Sequence, residues 1–233
     1  MNRRLILAAL PLHAAITGQA LGGGCSELDL KALDIMEQVV ARGDAAAIVD
    51  TARGQNRCAA LNLARLSLLA YHEARAVAAL GGPVERQGPV RRALAALNDL
   101  RGGSLDLEVE YADTAIRAAI AAAQDERPEM ELLLTHARDL AERLSDRSRR
   151  AVWPRPFNLL AGELWLEVDR FEEARAAFER AVKADAGPVA IVGLARALAR
   201  LGRHEEACRL WLRVPDDAQT LREATRQDFA ECR

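Results

Sequence analysis

Aromatic residues are scarce, at 4% of a 233-residue chain of which half is hydrophobic. Alanine and leucine carry the apolar half instead, which favours close-packed helices over a sandwich or barrel. Lysine is rarer still: Lys31 and Lys183 are the only two, and arginine supplies the remaining positive charge. The net charge of −2 argues against general affinity for nucleic acid. None of the four cysteines lies in a C-x-x-C pair, so zinc and thioredoxin-like chemistry have no support. Beyond the N-terminus no apolar run reaches the roughly 18 residues that a membrane helix needs. No segment alternates with period two for long enough to be a strand.

Catalytic patterns are also lacking. The histidines are His13, His72, His136 and His204. His72-Glu73 has no second histidine four residues after the first, so it is not a zinc-protease helix, and His72 reads as a helix-surface residue. Glu108, Glu110 and Asp113 do not converge on one helical face and read as solvated. Gly22 to Gly24 precedes no strand and cradles no phosphate, and no Ser-centred nucleophile motif occurs. The expectation is a protein that is not an enzyme and that takes no cofactor and no metal.

The N-terminus reads as an export signal. Met1 to Arg4 is short and basic, Leu5 to Leu12 is apolar, and Gly18-Gln19-Ala20 resembles a small-x-small cleavage site. That makes residues 1–24 a signal peptide and places the mature chain in the periplasm or cell envelope. Two other readings stay open: a lipoprotein anchored through Cys25, for which Gly22 is a poor match three positions before the cysteine, and a first helix of a cytoplasmic protein. An even number of cysteines in an exported chain suggests two disulfides, one near each end: pairing Cys25 with Cys58 is geometrically sensible, Cys208 with Cys232 is less well matched in length, and the sequence leaves the connectivity open. The competing reading is four small buried hydrophobes with free thiols.

From Ser26 onward, helix follows helix. Leu28, Ala32, Ile35, Met36, Val39 and Val40 share one helical face, and Asp44 caps a short helix, Ala45 to Ala52. A long helix from Asn56 to Leu80 is apolar at Leu61, Ala64, Leu68, Tyr71 and Ala74. Pro89 opens a helix to Leu100, Ser104 caps one to Gln124, and Pro128 starts one to about Leu144. Short connections imply antiparallel hairpins. The segment Ser145 to Pro156 holds Arg147, Arg149, Arg150, Arg155, Trp153 and two prolines. It reads as a solvated linker whose Trp153 packs on a helix, rather than as an anion-binding strip. The division is an N-terminal helical region over 25–147 and a C-terminal region over 148–233.

The C-terminal region repeats itself. FNLLAGELWLEVDRFEEARAAFERAV, from Phe157, overlays AIVGLARALARLGRHEEACRLWLRV, from Ala190, at an offset of thirty-three residues. Gly162 falls on Ala195, Trp165 on Leu198, Ala174 on Ala207, Phe178 on Trp211 and Ala181 on Val214. Small residues let two helices approach, and large ones fill the gap to the next unit. His204 takes the slot of Phe171, so packing accounts for it. The pattern over residues 156–214 resembles the tetratricopeptide repeat (TPR) family. The closing proline is displaced, with Ala186 in its slot and Pro188 two residues on. The resemblance implies an all-α, antiparallel helix-hairpin solenoid of TPR type, with degenerate hairpins before it, that binds another protein or peptide segment. It also implies groove-lining slots at Leu159, Glu163, Leu166 and Glu167 in one unit and at Val189, Val192, Arg196, Ala199 and Arg200 in the other. The lysine and asparagine clamp that some relatives use for C-terminal carboxylates is absent. Such a groove suits an extended or helical segment with apolar anchors and mixed charge, unless the N-terminal helices cover it.

Overall fold

The computed structural model describes residues 58–79, 105–145, 153–184 and 186–232, with residues 25, 26, 28, 29, 31, 32, 94, 95 and 97–101. The signal segment, the helix expected at 45–52 and Arg147, Arg149 and Arg150 lie outside them. Among the described residues the regular elements are all helical. Helix α1 is Ala59–Ala79, α2 Asp106–Ala123, α3 Arg127–Ser145 and α4 Phe157–Glu167. Then come α5 Phe171–Lys183, α6 Pro188–Arg200, α7 His204–Trp211, a 3-10 turn Asp216–Ala218, and α8 Gln219–Thr225.

The apolar stripes predict which faces are buried. On α1, Leu61, Ala64, Leu68, Tyr71 and Ala74 are all buried. Helix α2 is buried on most sides, and Ala112, Ala115, Ala118, Ala119 and Ala122 let its neighbours come close. It starts after Leu105, which makes no side-chain cap bond, and the cap expected at Ser104 lies outside the described residues. Near the N-terminus, Ser26 and Asp29 form a reciprocal capping pair. The Ser26 amide donates to Asp29 Oδ2 at 2.7 Å, and the Asp29 amide to Ser26 Oγ at 3.3 Å.

Three antiparallel hairpins follow one another: α2 with α3, α4 with α5, and α6 with α7. Helix α5 also packs closely on α6, and α4 touches both α2 and α6. The first helix of each hairpin ends in the same way. After α2, α4 and α6 the chain passes through a left-handed residue: Asp125 at φ 57°, Asp169 at φ 60° and Gly202 at φ 78°. The next amide then reaches back to the last turn. Glu126 donates to Ala121 at 2.8 Å, Arg170 to Trp165 at 2.9 Å and Arg203 to Leu198 at 2.9 Å. This is a Schellman close, which satisfies carbonyls that the helix leaves open. The second helices of the last two hairpins start alike too, with Arg170 bonded to Glu173 and Arg203 to Glu206. Each arginine holds its glutamate below the usual carboxylate range, chiefly through that bond.

The interior forms two apolar clusters that meet at α4. Leu160, Ala161 and Leu164 face the cluster built by α1, α2 and α3. Leu159 faces the one built by α5, α6, α7 and the C-terminus. Phe178 on α5 is fully buried in the second cluster. Its ring lies against two glycines, Gly162 on α4 and Gly193 on α6, where an added Cβ would come within 2.7 and 2.2 Å of ring carbons. Two disulfides are present, one near each end, and their connectivity is Cys25–Cys58 and Cys208–Cys232.

Candidate functional site

The residues expected to line a groove divide into groups. Leu159 and Val192 are buried, at 3% and 2% exposure, inside the second cluster. They are core rather than the floor of an open groove, because helices α4 to α7 close around them. Leu166, Val189 and Ala199 are half-buried against the same cluster. Glu163 accepts a hydrogen bond from the Tyr71 hydroxyl of α1 at 2.8 Å. Arg196 is bonded to Asp228 at 2.6 Å, and Arg200 to Asp169 at 2.8 Å, with the Arg200 guanidinium 4.5 Å above the Phe171 ring. Glu167 is exposed. Helix α1 and the C-terminal segment thus reach over parts of the face that the repeats present.

The linker ends differently from its expected reading. Trp153 is buried, as expected, but Arg155 is buried as well, at 5% exposure. Its Nε lies 3.5 Å from Glu163 Oε1, and its carbonyl accepts the Tyr111 hydroxyl at 2.7 Å. Residues 153–155 therefore belong to the core and not to a solvated strip. Burial, and then the nearby Tyr71, push the Tyr111 hydroxyl well above its ordinary pKa. Two tyrosine hydroxyls and the Arg155–Glu163 ion pair tie α1, α2 and α4 together.

The remaining titratable groups are spread out. His136 Nε2 is 3.3 Å from Glu110 on the surface, and Asp113 pairs with Arg117 at 2.9 Å. Glu110 and Asp113 thus take separate partners. His72 is half-buried with its ring edge-on to Tyr71. His204 is exposed at the start of α7, so packing does not account for it. No group of three or more His, Cys, Asp or Glu side chains among the described residues is placed to hold a metal.

Among the described residues a groove of about 810 Å³ lies between α3 and α5, floored by α4. Leu134, Ala141, Ala161, Phe157 and Trp165 give it an apolar floor. At one end Arg170 bridges Glu131, at 3.8 Å, and Glu173, and lies 5.7 Å over the Trp165 ring. At the other end stand Arg138, Glu142, Asn158 and Arg180. Spacing did not single out this groove, because it follows from a break in the stacking. Helix α5 leads to α6 through residues 184–187 and packs close to it, while α3 leads to α4 through residues 146–156 and barely touches it. No family model, curated protein or solved structure matches the chain. Among the described residues no helix is long and apolar enough to cross a membrane, and the two disulfides fit an oxidising compartment.

Proposed function

We propose that this chain is a TPR-type stack of helical hairpins in the periplasm or cell envelope, and that it acts without catalysis by binding a segment of another protein. The observation that carries this reading is the recurrence of one hairpin geometry. The same left-handed turn closes α2, α4 and α6, and the same arginine–glutamate start opens α5 and α7. Stacked hairpins make extended surfaces that suit peptide and helix recognition. The second reading, a lipoprotein subunit of an envelope assembly, is disfavoured by one observation. The Cys25 sulfur is bonded to Cys58, which leaves it no valence for a lipid thioether.

The test is photo-crosslinking in living cells. With two lysines in the chain, amine cross-linkers have little to react with. A photoreactive residue at exposed Glu167, Thr135 or Arg138 avoids that limit. The expected outcome is one envelope protein captured reproducibly and bound again by the purified chain in calorimetry. Failure to capture any protein that rebinds in purified form would sink the reading.

A further inference from the structure

We infer that the groove between α3 and α5 is the docking site, and that its occupant is a short protein segment with apolar side chains along one face and acidic residues at one end. This rests on the interaction reading above and adds the place and the chemistry. Three observations combine. The first is that the groove exists where regular stacking would close it. Between α5 and α6, Phe178 sits against Gly193 and fills the gap. Between α3 and α4 the connection is longer, the buried residues facing the gap are Leu134 and the small Ala161, and the space stays open.

The second observation is the shape of the apolar surface. Phe157 and Trp165 are half-buried at opposite ends of α4, so each shows part of its ring to the groove. They stand eight residues apart in one helix, roughly 12 Å along its axis. That span matches two apolar anchors about two helical turns apart on an incoming segment.

The third observation is charge. At the Trp165 end, Arg170 already bridges two carboxylates, Glu131 and Glu173. At the Phe157 end the balance differs. Arg180 donates to the neutral Asn158 side chain at 3.2 Å, and Arg138 has its own neighbour Asp139 at 3.7 Å, with both of that pair more than half exposed. Glu142 stands at the same end and has a partner of its own. Two exposed guanidiniums flanking a half-buried aromatic favour a carboxylate on the incoming segment, since arginine meets carboxylates through paired hydrogen bonds.

Selection from a displayed library of random twelve-residue peptides, with the full disulfide-bonded chain as bait, tests this directly. Two variants serve as controls: Thr135→Trp, which fills the groove from an exposed position, and the pair Arg138→Glu with Arg180→Glu. Selected peptides should carry two apolar residues and a cluster of Asp or Glu. Their affinity should fall at least tenfold on either variant, with circular dichroism unchanged. The charge-reversed pair should instead enrich peptides with Lys or Arg in place of the acids. Peptides that bind both variants as well as wild type would place docking elsewhere and overturn the inference. So would a selection that enriches nothing. In either case a partner captured in cells would leave the interaction reading standing, while failure of both experiments would remove it too.

Discussion

Tyr111 shows how much rests on single polar atoms in this alanine-rich interior. Its hydroxyl is buried and donates to the Arg155 carbonyl at 2.7 Å. Tyr111→Phe keeps the ring and removes the donor, so a buried carbonyl loses its partner at a cost of about 1–3 kcal/mol. Urea denaturation should show that loss as a lower midpoint with an unchanged slope. The same hydroxyl makes a signed prediction in alkali. Its folded pKa lies above the unfolded value near 10, so its contribution is complete below pH 10 and is lost as pH rises further. Wild-type stability should therefore fall above pH 10, and Tyr111→Phe should fall less steeply. Equal slopes in the two proteins would mean that Tyr111 ionises freely in the fold.

At the scale of helices, the contact among α4, α5 and α6 turns on one ring and two missing side chains. Gly193→Ala would place a methyl within 2.2 Å of the Phe178 ring, and Gly162→Ala within 2.7 Å. Overpacking of this kind costs about 1–3 kcal/mol, while alanine in a helix gains about 1 kcal/mol over glycine. Gly193→Ala should thus be destabilising by about 1–2 kcal/mol and Gly162→Ala by less. With Phe178→Leu already in place, the cost of Gly193→Ala should shrink, a coupling that a double-mutant cycle measures. An additive cycle would mean that Phe178 is free to move aside. Gly162 and Phe178 were legible in the sequence, because the repeat offset aligns small and large residues in register. The buried stripe of α1 was legible for the same reason, from its 3.6-residue period. Arg155 was not: four arginines in a proline-rich stretch read as solvated, and only the fold brings Glu163 and Tyr111 to that one. Leu159 and Val192 point towards a groove by position in the repeat, yet the helices around them close into a core. The groove between α3 and α5 was hidden because it depends on the path of a connection, which local periodicity does not describe.

For the whole molecule, the C-terminal disulfide fastens a segment that covers the last hairpin. A terminal hairpin has no neighbour to cover its apolar face. At the C-terminus, the segment after α7 supplies that cover. Phe229 is buried and stacks on Trp211 at 5.6 Å between ring centres, and the Trp211 indole donates to Thr225 Oγ1 at 3.3 Å. Arg196 of α6 holds Asp228 from the other side. Cys208–Cys232 then fastens the cover across 24 residues of chain. Closing a loop of this length removes unfolded-state entropy equivalent to about 3 kcal/mol, and Cys25–Cys58, across 33 residues, removes slightly more. Replacing Cys208 and Cys232 by serine should lower the urea midpoint by a corresponding amount. Reducing the wild type with dithiothreitol should lower it further, since both links are lost. If reduction leaves the midpoint unchanged, helix packing alone holds the two ends and the disulfides add nothing to stability. If instead the expected loss is found, a reducing compartment would loosen the segments that the two disulfides fasten, which ties the fold's stability to an oxidising location.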